Sequence, residues 1–259
     1  MFAAAPPSAL LTDTMIFTVK ICGVTTPGDA AVAAAAGADA IGLNFVPGSQ
    51  RAIDVEQARV VASAIPPGVL RVGVFAGVDT AVIRRVVAAA GLDAVQLHGH
   101  LSGDGPAVDP PQRCAELAGM TVIRAVRMED GDDPLAAARD WLAAAAALGG
   151  GPAMVIVDAP VTRGTDAGRL GGTGATVNWA ALLAARPLGL PTALAGGLTP
   201  ENVAEAIAAS GALAVDTASG VESAPGRKDP GKVGAFVAAA RSALAGPAPH
   251  HNPDYHGAG

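Results

Sequence analysis

The sequence predicts one closed (β/α)₈ barrel, the α/β architecture in which eight parallel strands alternate with eight helices. Three observations lead there. Eight short apolar runs recur along the 259 residues, each followed by a helical pattern, as successive βαβ units require. The runs are close to continuously apolar, which suits strands covered on both faces. No linker divides the chain into halves, and Gly23-Val24-Thr25-Thr26 after the first strand is no dinucleotide-binding glycine fingerprint, so an open doubly wound sheet is disfavoured.

The first strand centres on Thr18-Val19-Lys20-Ile21-Cys22-Gly23, where Val19 and Ile21 alternate with Thr18 and Lys20 in a period-2 pattern. Gly23 and Thr25-Thr26-Pro27 break it and open an alanine-rich helix to about Ala36. The second strand reads from Ala40 to Val46, and the third runs from Leu70 to Ala76. Between them a helix starts at Asp54, with Gln57 three residues on as a capping box. Ala94 to Gly99 is the fourth strand, followed by a glycine- and proline-rich loop and a short helix containing Cys114. Strands at Thr121 to Met128, Met154 to Asp158, Thr192 to Gly197 and Leu213 to Asp216 complete the set, and a last helix spans roughly Pro230 to Leu244. The barrel thus occupies residues 18–245. Residues 1–17 read as a flexible extension and 246–259 as a disordered tail carrying His250, His251 and His256.

Bulk composition narrows the function. With 51% hydrophobic residues a large core is feasible, and the formal net charge of -6 comes with no basic stripe, which excludes nucleic acid and anionic membrane as natural partners. No uncharged apolar run reaches the roughly 18 residues of a membrane span, and Met1 to Leu11 lacks the basic start of a signal peptide. Two cysteines, Cys22 and Cys114, do not make a disulfide framework and fit a reducing cytoplasm.

In a barrel all eight strand ends open on one mouth, where the chemistry sits. That places Cys22, the loop from Asn44 to Arg51, Gln96 and His98, Asp158, Gly196-Gly197 and Asp216 to Gly220 together. Gly171-Gly172-Thr173-Gly174, Gly196-Gly197 and Ser219-Gly220 follow strands six, seven and eight, where backbone N–H groups and helix N-termini hold phosphate. Any one of these turns could exist for its positive φ alone; three on one mouth point to a phosphorylated ligand.

These pieces in this order resemble the phosphoribosylanthranilate isomerase family. The resemblance covers Lys20 to about Phe236 and rests on Lys20-Ile21-Cys22-Gly23-Val24-Thr25, Gly73-Val74-Phe75, Val95-Gln96-Leu97-His98-Gly99, the Gly171–Gly174 turn with Trp179, Leu194 to Val203, Ser219-Gly220-Val221-Glu222 and Gly226-Arg227-Lys228-Asp229. It implies an Amadori rearrangement of N-(5′-phosphoribosyl)anthranilate to an aminodeoxyribulose phosphate, a step of tryptophan biosynthesis, without cofactor or metal, by a monomer or homodimer. By the same resemblance Cys22 falls on the general base and Asp158 on the general acid. Arg51 falls on the arginine that meets the anthranilate carboxylate. Gln96 and His98 become pocket walls, Asp216 sits near the ribose hydroxyls, and Gly172, Gly174, Gly197, Ser219 and Gly220 form the phosphate cradle.

Two departures stand out. The family's Ser-Pro-Arg is Ser49-Gln50-Arg51 here, which frees that loop, and Ala218 replaces a usual serine. Asp166, a second acid between Asp158 and the glycine turn, ranks as loop decoration because a flexible loop holds a proton donor poorly. Histidine-pathway isomerases place aspartates at both acid and base positions, whereas the first strand here ends in Cys22. Ribulose-phosphate epimerases need metal-binding residues on several strand ends, which His98 alone does not supply. A barrel that only binds a phosphorylated ligand would have little use for both Cys22 and Asp158.

Overall fold

The computed structural model describes residues 15–101, 107–129, 131–158 and 179–246. Eight strands close into one barrel in sequence order: β1 (Val19–Ile21), β2 (Ala40–Asn44), β3 (Leu70–Phe75), β4 (Ala94–Leu97), β5 (Thr121–Arg127), β6 (Met154–Asp158), β7 (Thr192–Ala195) and β8 (Val215–Thr217). Every neighbouring pair is parallel, including β8 with β1, where Lys20 faces Asp216 in register. The helices are α1 (Pro27–Ala35), α2 (Val55–Ser63), α3 (Thr80–Ala90), α4 (Gln112–Glu116), α5 (Ala136–Ala147), α6 (Trp179–Ala184), α7 (Val203–Ser210) and α8 (Pro230–Leu244), one after each strand.

Helix starts follow side-chain chemistry. Thr26, Asp54, Asp79 and Asp229 each accept a hydrogen bond from a backbone N–H of the first turn. The box at α2 is only half formed: Asp54 accepts from the Gln57 N–H at 2.8 Å, but the Gln57 amide donates to Thr25 O at 2.9 Å. A bond to the neighbouring βα loop replaces the return bond to the cap.

Packing divides into two layers. Val19, Ile21, Ile41, Leu43, Val95, Leu97, Val155, Val157 and Leu194 point outward into the helix layer. The barrel interior is narrow and filled by small or slender groups, among them Ala40, Val72, Ala94, Ile123, Met154, Ile156, Ala193 and Ala214. Phe17 is 2% exposed and plugs this interior from below, with Met15 and Ile16 packed beside it. The barrel's packing therefore begins ahead of residue 18, because the small floor residues leave room that an aromatic ring fills.

One element was absent from the sequence reading. After a 3₁₀ turn at Ser219–Val221, β9 (Glu222–Ala224) and β10 (Arg227–Lys228) form an antiparallel hairpin ahead of α8. Two or three residues per strand carry too little periodicity to announce it. Among the described residues no helix is long and apolar enough to cross a membrane.

Candidate active site

Parallel pairing sends every strand's carboxyl end to the same rim, and the side chains that point inward there surround one cavity of about 390 Å³. Its lining includes Cys22, Arg51, Gln96, His98, Asp158, Gly197, Asp216 and Ser219. The thiol sits one residue past β1, its backbone N–H donating to Thr217 O at 2.8 Å across the closing seam. Cys22 is free and partly exposed. A Cβ on Gly42 in β2 would lie 2.6 Å from the Cys22 Sγ, so this glycine makes the space the sulfur occupies.

Asp158 ends β6 and opens on the same cavity. Burial pushes its carboxyl above the ordinary value, against the opposing pull of Arg127, whose Nη2 lies 3.7 Å from Oδ2. Burial also drives the His98 imidazole below its usual value, with Asp158 opposing and Lys20 adding to the push. Burial thus disfavours the charged imidazole. Gln96 is 2% exposed, and its Nε2 stands 3.3 Å from His98 Nδ1.

Beneath this rim lies a charge the sequence reading did not place in the site. The period-2 pattern of β1 separates Lys20 from Val19 and Ile21 without saying which face is which; Val19 and Ile21 face the helices and Lys20 points into the barrel, 0% exposed. Lys20 Nζ is 3.0 Å from Asp216 Oδ1. Burial would lower the ammonium, yet Asp216 and then Cys22, to which it also hydrogen-bonds, outweigh it and hold it above the usual lysine value. The alternation of Lys20 with Cys22 in sequence was the available signal, since residues two apart share a strand face.

Arg51 lines the cavity, but its Nε and Nη2 donate to Glu222 at 2.8 and 2.6 Å. Glu222 also accepts from Lys228 Nζ at 2.8 Å. The Ser49-Gln50-Arg51 loop, freed of its proline, is held by other means: Ser49 Oγ accepts from the Arg51 N–H at 3.2 Å and from Asn44 Nδ2 at 3.1 Å. Gly197 and Ser219 face the cavity, whereas Gly220 lies outside its lining, pressed so close to Leu198 that a Cβ would sit 1.8 Å from the Leu198 carbonyl oxygen. Gly172, Gly174 and Asp166 lie outside the described residues. A second hollow of about 470 Å³ adjoins the first over β4 to β6, sharing His98 and Asp158. Among the described residues no group of three or more His, Cys, Asp or Glu side chains is disposed to hold a metal ion.

A thiol, a carboxyl held toward its acid form and an imidazole share one rim, the face at which (β/α)₈-barrel enzymes carry their chemistry. This chain is such an enzyme. It belongs to the N-(5′-phosphoribosyl)anthranilate isomerase family, matching that family over residues 19–239. The N-(5′-phosphoribosyl)anthranilate isomerase of Neisseria meningitidis is 40% identical over 221 residues, 85% of this chain and 95% of that one. A crystal structure of phosphoribosyl anthranilate isomerase in complex with reduced 1-(o-carboxyphenylamino)-1-deoxyribulose 5-phosphate superposes with a TM-score of 0.70 at 32% identity, covering 87% of this chain and 99% of that one. Monomers of the dimeric phosphoribosylanthranilate isomerase of Thermotoga maritima give a TM-score of 0.69 at 31% identity over the same shares.

Proposed function

We propose that Asp158 and Cys22 are the acid and the base of the isomerisation of N-(5′-phosphoribosyl)anthranilate to 1-(2-carboxyphenylamino)-1-deoxyribulose 5-phosphate, the reaction of the family in tryptophan biosynthesis. The observation that carries the assignment is that both open on one cavity and that burial holds the Asp158 carboxyl toward its protonated form. Asp158 donates its proton to the furanose ring oxygen. The C1′–O bond breaks, and the anilino nitrogen's lone pair forms the C1′=N iminium. Cys22, as thiolate, removes the C2′ proton, and the freed electron pair becomes the C1′=C2′ bond while the iminium π pair returns to nitrogen. Tautomerisation of this enolamine gives the ketone.

The other assignments follow the family resemblance. By that resemblance Asp216 is assigned to the ribose hydroxyls and Gly172, Gly174, Gly197, Ser219 and Gly220 to the phosphate; Asp216, Gly197 and Ser219 line the cavity that holds Cys22 and Asp158. His98 and Gln96, 3.3 Å apart, form polar walls of the pocket. The free end of Arg51 takes the anthranilate carboxylate. Both cysteines are free, in keeping with work in the cytoplasm. One relative is dimeric; light scattering on this chain distinguishes the monomer from the homodimer.

The test is Asp158→Asn. Turnover, followed by the loss of anthranilate-type fluorescence, falls by about 10²–10⁴-fold, the usual worth of a general acid. Affinity for the reduced product analogue stays within a few-fold. Near-wild-type turnover would remove Asp158 from the mechanism.

A further inference from the structure

Two residues of the hairpin that follows β8 are absent from the mechanism above, although they lie in the sequence stretches that carry the family resemblance. Glu222 and Lys228 are register partners across β9 and β10, with side chains 5% and 0% exposed. Lys228 Nζ donates both to Glu222 Oε1 at 2.8 Å and to Ala218 O at 2.9 Å, in the loop that carries Ser219. Thr25 Oγ1 donates to Gly226 O at 2.6 Å and pins the hairpin's tip beside the exit of β1. A buried carboxylate so firmly held is costly unless something needs it there.

What it holds is the orientation of one guanidinium. Arginine has five N–H donors arranged as two forks, one along the Nε–Nη2 side and one across the Nη1–Nη2 end. Glu222 occupies the side fork completely, and among the described residues nothing accepts from Nη1. The end fork is therefore left over, on a residue that lines the cavity. Beneath the guanidinium the Arg51 stem crosses Gly23, where a Cβ would lie 2.4 Å from Arg51 Cδ and where φ is +69°, so the chain offers no obstruction at that point. Stem and head are fixed independently.

Charge balance gives Lys228 its part. An arginine paired with a carboxylate alone is neutral and attracts an incoming anion weakly. With Lys228 on the same carboxylate, the three groups keep one positive charge in excess, presented at the end fork.

We propose that Glu222, backed by Lys228, is a positioning residue that aims the end fork of Arg51 at the carboxylate of the substrate's aromatic ring and so sets specificity for carboxylated anilines. The inference rests on the reading of Arg51 given above.

The experiment measures Kd for two probes, reduced 1-(o-carboxyphenylamino)-1-deoxyribulose 5-phosphate and the same molecule without the ring carboxylate, in wild type, Arg51→Ala, Glu222→Gln and the double variant. The ratio of the two Kd values isolates recognition of the carboxylate; general loosening of the fold would move both probes together. The expected result is a ratio that drops roughly tenfold or more in Arg51→Ala, from loss of a charge-assisted pair, and by a comparable factor in Glu222→Gln, with no further loss in the double variant. An unchanged ratio in Glu222→Gln alongside a collapsed ratio in Arg51→Ala overturns this inference while leaving Arg51 in its role. An unchanged ratio in Arg51→Ala overturns both. Should Glu222→Gln fail to fold, Glu222→Asp keeps the charge and shortens its reach by one methylene; a wild-type ratio in that variant also counts against the proposal.

Discussion

Lys20 and Asp216 meet inside the barrel wall, Nζ 3.0 Å from Oδ1, at the register position where β8 closes onto β1. Both belong to the last strand pair to form if the sheet assembles in chain order, and both sit directly under the reacting groups. Lys20 touches no solvent, so its charge has only Asp216 and Cys22 to answer it. The pair joins the seam of the fold to the floor of the site, and the same contact serves stability and chemistry.

Lys20→Met therefore strands a buried carboxylate. Removing one partner of a buried ion pair costs about 3–5 kcal/mol, whereas replacing both with neutral groups costs much less. Chemical denaturation is expected to show a loss of that size for Lys20→Met and recovery of most of it in Lys20→Met with Asp216→Asn. A loss below about 1 kcal/mol, the range of exposed pairs, would mean that water reaches Asp216.

The pH dependence of kcat/KM carries a sign that can be checked. Asp158 acts while protonated, so activity falls as pH rises through its elevated pKa and forms the alkaline limb assigned to the acid. Arg127 pulls that carboxyl back down. Arg127→Ala is expected to move the limb to higher pH, modestly, because the arginine is 71% exposed and its field is screened. A shift to lower pH, or none while the limb remains, would assign the limb to another group.

Cys22→Ser keeps the size of the side chain and removes the acidity. A serine hydroxyl is a far weaker proton acceptor when it must ionise first, so kcat is expected to fall by about 10²–10⁴-fold, with the Kd of the reduced product analogue within a few-fold of wild type. A loss of less than about tenfold would reduce Cys22 to a packing residue beside Lys20.

The sequence disclosed some of this and withheld the rest for definite reasons. The barrel was legible because strand and helix alternate with little insertion between them. Cys22, His98 and Asp158 were legible as neighbours because parallel strands bring all carboxyl ends to one mouth, whatever their separation along the chain. The side of β1 on which Lys20 lies was not, since an alternating pattern has the same period whichever face is core. The partners of Arg51 were hidden further: Glu222 is 171 residues away, on a hairpin too short to leave a periodic trace. The half-formed box at Asp54 shows the same limit, because the choice of Gln57 between its own helix cap and Thr25 O is decided by a neighbouring loop.

Gly42 is the clearest residue whose role the coordinates supply and composition does not. It sits in the middle of β2, where glycine is normally a cost, and an added Cβ would meet Cys22 at Sγ (2.6 Å), Cβ (3.2 Å) and Cα (3.0 Å). The backbone contact leaves the thiol no easy retreat, so Gly42→Ala must displace Cys22 toward the cavity or spread β1 from β2. Overpacking of this kind costs typically about 1–3 kcal/mol, which a barrel of this size survives. Catalysis is less forgiving, because a reacting group displaced by about 1 Å can lose on the order of 10²-fold in rate. The variant is expected to melt as a single cooperative transition a few degrees below wild type, with kcat reduced at least tenfold and analogue affinity reduced much less. Full activity with a lowered melting temperature would show that the sulfur's position within the mouth is unimportant, which the acid–base assignment does not allow.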